Sequence, residues 1–209
     1  MTQMLKRFLI LLAVGLSLSA SGQGTIVYNN PADIPVFGGA IYVNYNFDVN
    51  GDGTTDFVLR ARNAEFMVIP TAQNAVLGTL APPPNLVGAV GAFGFGYAIS
   101  LAPVAPRQWI QGAGDADLLG RYGPVFVYEW QRVTSDAYMG AQFYIGSEIH
   151  YGWVHLRVFR NGGYIKEWAY DTVAGQGILA GAVPEPSAWV FLLLGLGAFA
   201  FSRCRSRLT

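Results

Sequence analysis

The stretch Val154-His155-Leu156-Arg157-Val158-Phe159-Arg160-Asn161-Gly162-Gly163-Tyr164-Ile165-Lys166-Glu167-Trp168-Ala169-Tyr170 decides the fold class. Apolar and polar residues alternate on both sides of its centre, and a period of two marks strands with one buried face. Asn161-Gly162-Gly163 accepts positive φ cheaply, so it predicts a hairpin joining residues 154–159 to residues 164–170. Runs of the same texture, bounded by Gly, Pro or Asn, recur at residues 41–47, 57–62, 66–69, 125–133 and 141–145. The pattern predicts an all-β fold, an antiparallel β-sandwich with jelly-roll-like topology; a closed barrel is the alternative that the spacing leaves open.

Between Thr71 and Pro106 the texture changes to Gly, Ala and Pro, including Pro82-Pro83-Pro84, which predicts long loops with one strand near residues 93–100. Gly91, Gly94 and Gly96 lack the spacing of a dinucleotide fingerprint, and no Lys follows them as in a phosphate-binding loop. The 13 basic and 13 acidic residues cancel, which argues against a nucleic-acid partner. A hydrophobic content of 52% suffices for a real core, and the lone Cys204 excludes a disulfide framework within the chain.

The two ends carry targeting patterns. Lys6 and Arg7 precede an apolar run, residues 8–18, and then the small residues Ser19, Ala20, Ser21 and Gly22. That order predicts a signal peptide over residues 1–22, cut after Gly22 or after Ala20; an uncleaved anchor is the other reading, against which the short run counts. Residues 23–182 form the predicted β domain. At the far end Val183-Pro184-Glu185-Pro186-Ser187 leads into an apolar stretch from Ala188 and then Arg203, Arg205 and Arg207. This predicts a transmembrane helix over 188–202 whose basic stop-transfer end stays in the cytoplasm, with arginine snorkelling to help a short span. A buried core helix is the alternative, though three arginines would end it poorly.

These last residues resemble the PEP-CTERM sorting domain of bacterial exopolysaccharide-associated proteins. The resemblance covers residues 183–207 and rests on the ordered triplet of Pro184-Glu185-Pro186, apolar stretch and arginine end. It implies recognition by exosortase, a membrane cysteine protease that would process the chain near the motif, with exopolysaccharide as the setting. The protein is then expected to be exported, membrane-anchored before processing, and afterwards at the cell surface or in the extracellular matrix. The catalytic cysteine belongs to exosortase, so Cys204 has no implied catalytic role.

The most chemical feature inside the domain is Asp48-Val49-Asn50-Gly51-Asp52-Gly53-Thr54-Thr55-Asp56. Oxygen side chains at its first, third, fifth and ninth positions, with Gly at the sixth, suit a compact calcium loop. An EF-hand would need Glu at the twelfth position, where Leu59 stands, and the flanks read as strands. The loop resembles instead the calcium-binding β-hairpin loops of integrin-type extracellular repeats. That resemblance implies side-chain oxygens from Asp48, Asn50, Asp52 and Asp56 and a backbone carbonyl from Thr54. A metal-free Asn-Gly and Asp-Gly turn is the competing reading.

No HExxH, GxSxG or CxxC pattern is present, so a non-enzymatic role is expected. His150 and His155 are an odd number of residues apart and should face opposite ways on one strand. Glu129, Glu148 and Glu167 are the candidates for a glycosidase pair. Tyr151 and Trp153 share strand parity with His155, so one face could offer a ring platform to sugars, whereas most tryptophans of such folds are core. Two function classes follow: a surface or matrix protein with a polysaccharide-binding or adhesive role, and a secreted glycan-acting hydrolase.

Overall fold

The structure is a computed structural model that describes residues 25–63, 65–80, 88–111, 116–119, 129–130 and 136–184. The predicted signal peptide, the candidate helix at 188–202, Glu185, Pro186 and the three arginines lie outside the described residues, as does most of the run at 125–133. Among the described residues there is no helix.

The strands in chain order are β1 (Ile26–Asn29), β2 (Ile34–Phe37), β3 (Val43–Phe47), β4 (Phe57–Arg62), β5 (Glu65–Pro70), β6 (Ala75–Leu80), β7 (Gly88–Val90), β8 (Ala98–Ile99), β9 (Gln108–Gln111), β10 (Ala116–Leu119), β11 (Asp136–Ile145), β12 (Glu148–Phe159), β13 (Gly162–Asp171) and β14 (Ile178–Leu179). The main sheet follows one hydrogen-bonded path, β1-β13-β12-β11-β6-β7-β10-β5-β4-β3, with β2 also on β13 and β9 also on β6. A sandwich would have two separately bonded sheets; here the path is continuous. It turns back on itself through the short β7 and β10, the one parallel pair among the described strands. As a result β3–β5 lie against β11–β13 with the larger core between them.

Alternation explains how each strand contributes. In β4 Phe57, Leu59 and Ala61 are fully buried while Val58, Arg60 and Arg62 are not. From the opposite side Met139, Ala141 and Phe143 of β11 and Val154 and Leu156 of β12 meet them in the same cluster. The other face of β11–β13 is also covered over part of its length. There Tyr151, Trp153 and Ala169 pack with Ile99 and Ile178 of the small β8–β14 sheet. Gly140 lets Leu77 of β6 pack into the same cluster, since a Cβ on it would come within 2.9 Å of the Leu77 Cβ.

The expected hairpin exists, but its connection is Arg160–Asn161, because Phe159 already pairs with Gly162. Gly162 is needed for another reason: its φ is +141° and a Cβ there would sit 2.1 Å from the carbonyl oxygen of Val36 on β2. Ile41, 77% exposed, stands outside β3, which is shorter than expected. The strand β6 occupies a segment read as loop. Its Ala75, Val76 and Leu77 are all fully buried, so the alternation that flags a half-exposed strand is missing.

Candidate functional site

The Asp48–Asp56 loop joins β3 to β4 and is closed by the Asp56 N–H donating to the Phe47 carbonyl at 3.0 Å. Gly51 and Gly53 take φ of +76° and +88°, which lets the chain coil back on the first aspartate. Asp48 Oδ1 accepts from the Gly51 N–H at 2.7 Å and its Oδ2 from the Gly53 N–H at 2.8 Å. Asn50 Oδ1 accepts from Asp52 N, and Asp52 Oδ1 accepts from Thr54 N at 2.7 Å, which holds the Asp52 carboxyl below its ordinary value. Thr54 is exposed in the same turn.

Asp56 differs from its neighbours in being only 4% exposed. Its Oδ2 accepts from the Val49 N–H at 2.9 Å and its Oδ1 from Asn74 at 3.1 Å. Burial nevertheless pushes its carboxyl up to about 6, with the charges of Asp48 and Asp52 adding and the Val49 and Asn74 bonds opposing. Among the described residues no three His, Cys, Asp or Glu side chains already converge as a metal site. The loop's carboxylates are turned onto backbone N–H groups instead. A carboxylate has about four lone-pair directions, so each keeps acceptor capacity for a hard cation beside the bonds it makes.

Tyr151 and Trp153 do share a face, but they are 0% and 1% exposed beneath β8 and β14. The sugar platform expected from them is therefore not formed; parity gives the face and is silent about what covers it. The Trp153 indole N–H donates to the Ala182 carbonyl, which ties the cover down. Trp130 is likewise core, and Trp109 and Trp168 are half-buried with their indoles bonded to the Ser100 and Val49 carbonyls.

Two residues farther along β12 the cover ends, and there a polar row crosses the sheet. Tyr138, His155 and Glu167 stand opposite one another on β11, β12 and β13. Glu167 Oε1 is 3.1 Å from His155 Nδ1, its Oε2 accepts from the Tyr28 hydroxyl at 2.5 Å, and the Tyr138 ring stacks on the imidazole at 4.7 Å between centroids. The bond to Glu167 pushes the Tyr28 phenol up to about 12, so it remains a donor. Asp136 lies 4.0 Å from His155 Nε2 and accepts from Arg157 Nε at 2.9 Å.

A register shift makes the row. His155 pairs with Glu167 but Leu156 pairs with Ile165, leaving Lys166 as the extra residue. This bulge sends Lys166 to Asp33 at 2.8 Å and keeps Glu167, not Lys166, beside the imidazole. The other expected groups are scattered. His150 is buried against Phe143 and donates to the Asp171 carbonyl, on the opposite face from His155. Glu129 pairs with Arg107, and Glu148 is exposed at the start of β12.

Both ends of the described chain meet beside a groove of about 490 Å³ lined by Thr25, Ile178, Leu179, Val183 and Pro184 among others. The Thr172 N–H donates to the Thr25 carbonyl, and Ala180 and Ala182 are bonded to the domain up to the point where Pro184 leaves it. Residues 182–207, which begin at this exit, match the family described as the PEP-CTERM protein-sorting motif. The chain carries a PEP-CTERM sorting motif. This marks an exported protein that exosortase sorts. The PEP-CTERM match starts one residue before the expected segment and ends with it at Arg207. No family matches the β domain, no curated protein matches the chain, and no solved structure does. Among the described residues no helix is long and apolar enough to cross a membrane.

Proposed function

We propose that the protein is a non-enzymatic component of the cell surface or extracellular matrix, anchored in the membrane until exosortase processes it, and that its β domain binds exopolysaccharide. The observation that carries this reading is the half-exposed row Tyr28–Glu167–His155–Tyr138 with Asp136 and Arg157 beside it. Side-chain carboxylates, an imidazole and a guanidinium pair with hydroxyl groups of sugars, and ring edges pack on their apolar faces. A processed, exported sample on a glycan array, with a hydrolysis assay on the sugars that bind, tests it. Binding that is lost in His155→Ala and weakened about tenfold or more in Glu167→Gln, without sugar release, supports the reading. Sugar release that depends on Glu167 would support instead a secreted hydrolase, which the proximity of Asp136, His155 and Glu167 favours as the second reading.

Calcium is proposed for the β3–β4 loop. Asp48, Asn50, Asp52 and Asp56 would give side-chain oxygens and Thr54 its carbonyl, a hard-donor set suited to this ion. What supports the reading is that three carboxylates share one short turn and that one of them is buried against the other two charges. A bound cation would supply charge neutralisation; the chain's part is to hold the turn between two paired strands.

A further inference from the structure

Around the exit of the chain, β14 and the loops on either side of β8 carry exposed apolar side chains that the sugar row does not use. Phe95 is 80% exposed, Val104 78%, Leu101 65% and Leu179 52%. Leu179 is carried by β14, Phe95 by the loop before β8, and Leu101 and Val104 by the loop after it. Leu179 pairs with Ala98, and Phe95 lies over Gly181, where an added Cβ would come within 2.4 Å of its ring. Val183, 45% exposed, follows at once. Large exposed apolar side chains on the strand and loops of one small sheet of an exported protein mark a contact surface.

The position of this surface identifies its occupant. Only residues 184–187 separate Val183 from the apolar stretch that begins at Ala188. Extended chain covers at most about 3.6 Å per residue, so the five steps from Val183 to Ala188 span about 18 Å or less. The headgroup layer on each side of the hydrocarbon is about 5–7 Å thick, half the difference between the full bilayer and its core. The exit cannot swing away. Gly96 N–H donates to the Ala180 carbonyl at 2.8 Å, Ala180 N–H to Tyr97, and Trp153 to Ala182, so the last turns are tied to the same loop that bears Phe95.

We infer that, before processing, this face rests on the lipid surface of the membrane holding the tail, with Phe95, Leu101, Val104 and Leu179 set into the interfacial layer. The inference rests on the proposed membrane anchoring of residues 188–202. Contact of this kind holds the domain in one orientation, with the segment around Pro184 close to the membrane where exosortase works. Cleavage then removes the tether, and the apolar contact alone must retain or release the domain.

The test uses the full chain with Cys204→Ser and single cysteines at Phe95, Val104, Asn161 or Leu193, each carrying an environment-sensitive fluorophore. The chains are reconstituted in phosphatidylethanolamine and phosphatidylglycerol vesicles with and without brominated lipid. Quenching at Phe95 and Val104 several-fold above that at Asn161, on the distant hairpin turn, together with quenching at Leu193, is the expected result. Quenching at Leu193 with Phe95 and Val104 no different from Asn161 overturns the inference and leaves the anchoring intact. No quenching at Leu193 overturns the anchoring and the inference with it. Shielding of Phe95 that rises with protein concentration and ignores brominated lipid identifies a second copy as the occupant, which also overturns it.

Discussion

Asp56 and Asp52 show how two residues of one turn differ once burial is added. The Asp56 carboxyl stands at about 6 against an ordinary 3.8, chiefly because burial penalises its charge. A folded value above the unfolded one means that stability is fully present below about pH 3.8 and is lost as pH rises through 6. In chelator the domain should therefore lose on the order of 2–3 kcal/mol between pH 4 and 7 from this group. Urea midpoints across that range would show it, and Asp56→Asn should flatten the slope, whatever its absolute stability. Calcium should reverse the loss at neutral pH. Binding to the native state alone stabilises by about 2.7 kcal/mol when calcium is a hundredfold above its dissociation constant, and the titration must reach millimolar levels. Asp52→Ala should abolish the calcium-dependent rise in Tm and leave the chelated protein nearly unchanged, because Asp52 is exposed in the turn. Identical melting of wild type and Asp52→Ala in calcium and in chelator would reduce the loop to a metal-free turn. The residue types and spacing of this loop were legible in the sequence; the burial of Asp56 was not, since it depends on Asn74 and Val49 closing over it.

At the scale of elements the bulge in β13 has the clearest consequence. Ile165 and Trp168 point into the larger core while Glu167 points out beside His155, and only the extra Lys166 interrupts the alternation. Deleting Lys166 would leave Glu167 opposite His155 and Ile165 opposite Leu156 in an unbroken ladder. The deletion variant should fold and lose on the order of 1 kcal/mol, the worth of the Lys166–Asp33 ion pair and the local twist. Deleting Glu167 should keep the same facing but put a cation beside the imidazole and remove the partner of Tyr28. Denaturation of both variants checks the pair: unfolding of the Lys166 deletion would mean that the bulge sets the register rather than interrupts it. Strand legibility followed the same physics. β4 alternates cleanly and was legible to its ends, whereas β6 is buried on both faces and has no alternation to read. The sugar platform failed for a related reason. Parity put Tyr151, Trp153 and His155 on one face, but the β8–β14 cover comes from segments distant in sequence and hides the first two.

The described residues form a curled β domain whose two ends leave at one place, with the sorting motif beginning where the last backbone and indole bonds stop. The sorting motif at residues 182–207 was legible because such signals depend on local composition, whereas the continuous path of the sheet depends on pairings between distant segments. Sorting and folding should therefore be separable by mutation. Ala182 is the last residue held by a described hydrogen bond to the domain, and the Pro184-Glu185-Pro186 segment follows it. Replacing these three by alanine should leave the Tm of the domain within a degree or two of wild type, since substitutions away from packed contacts usually change stability by less than about 0.5 kcal/mol. Export should also persist, because the signal peptide expected over residues 1–22 would act during translocation and the C-terminal motif afterwards. Processing should stop, so that the variant accumulates at its full post-export mass in the membrane fraction while wild type is cut near the motif. Mass spectrometry of both fractions reads the difference directly. A variant cut and released like wild type would mean that exosortase reads something other than these three residues, whereas a variant that is neither exported nor folded would show that the tail and the domain are not the independent units that their bonding describes.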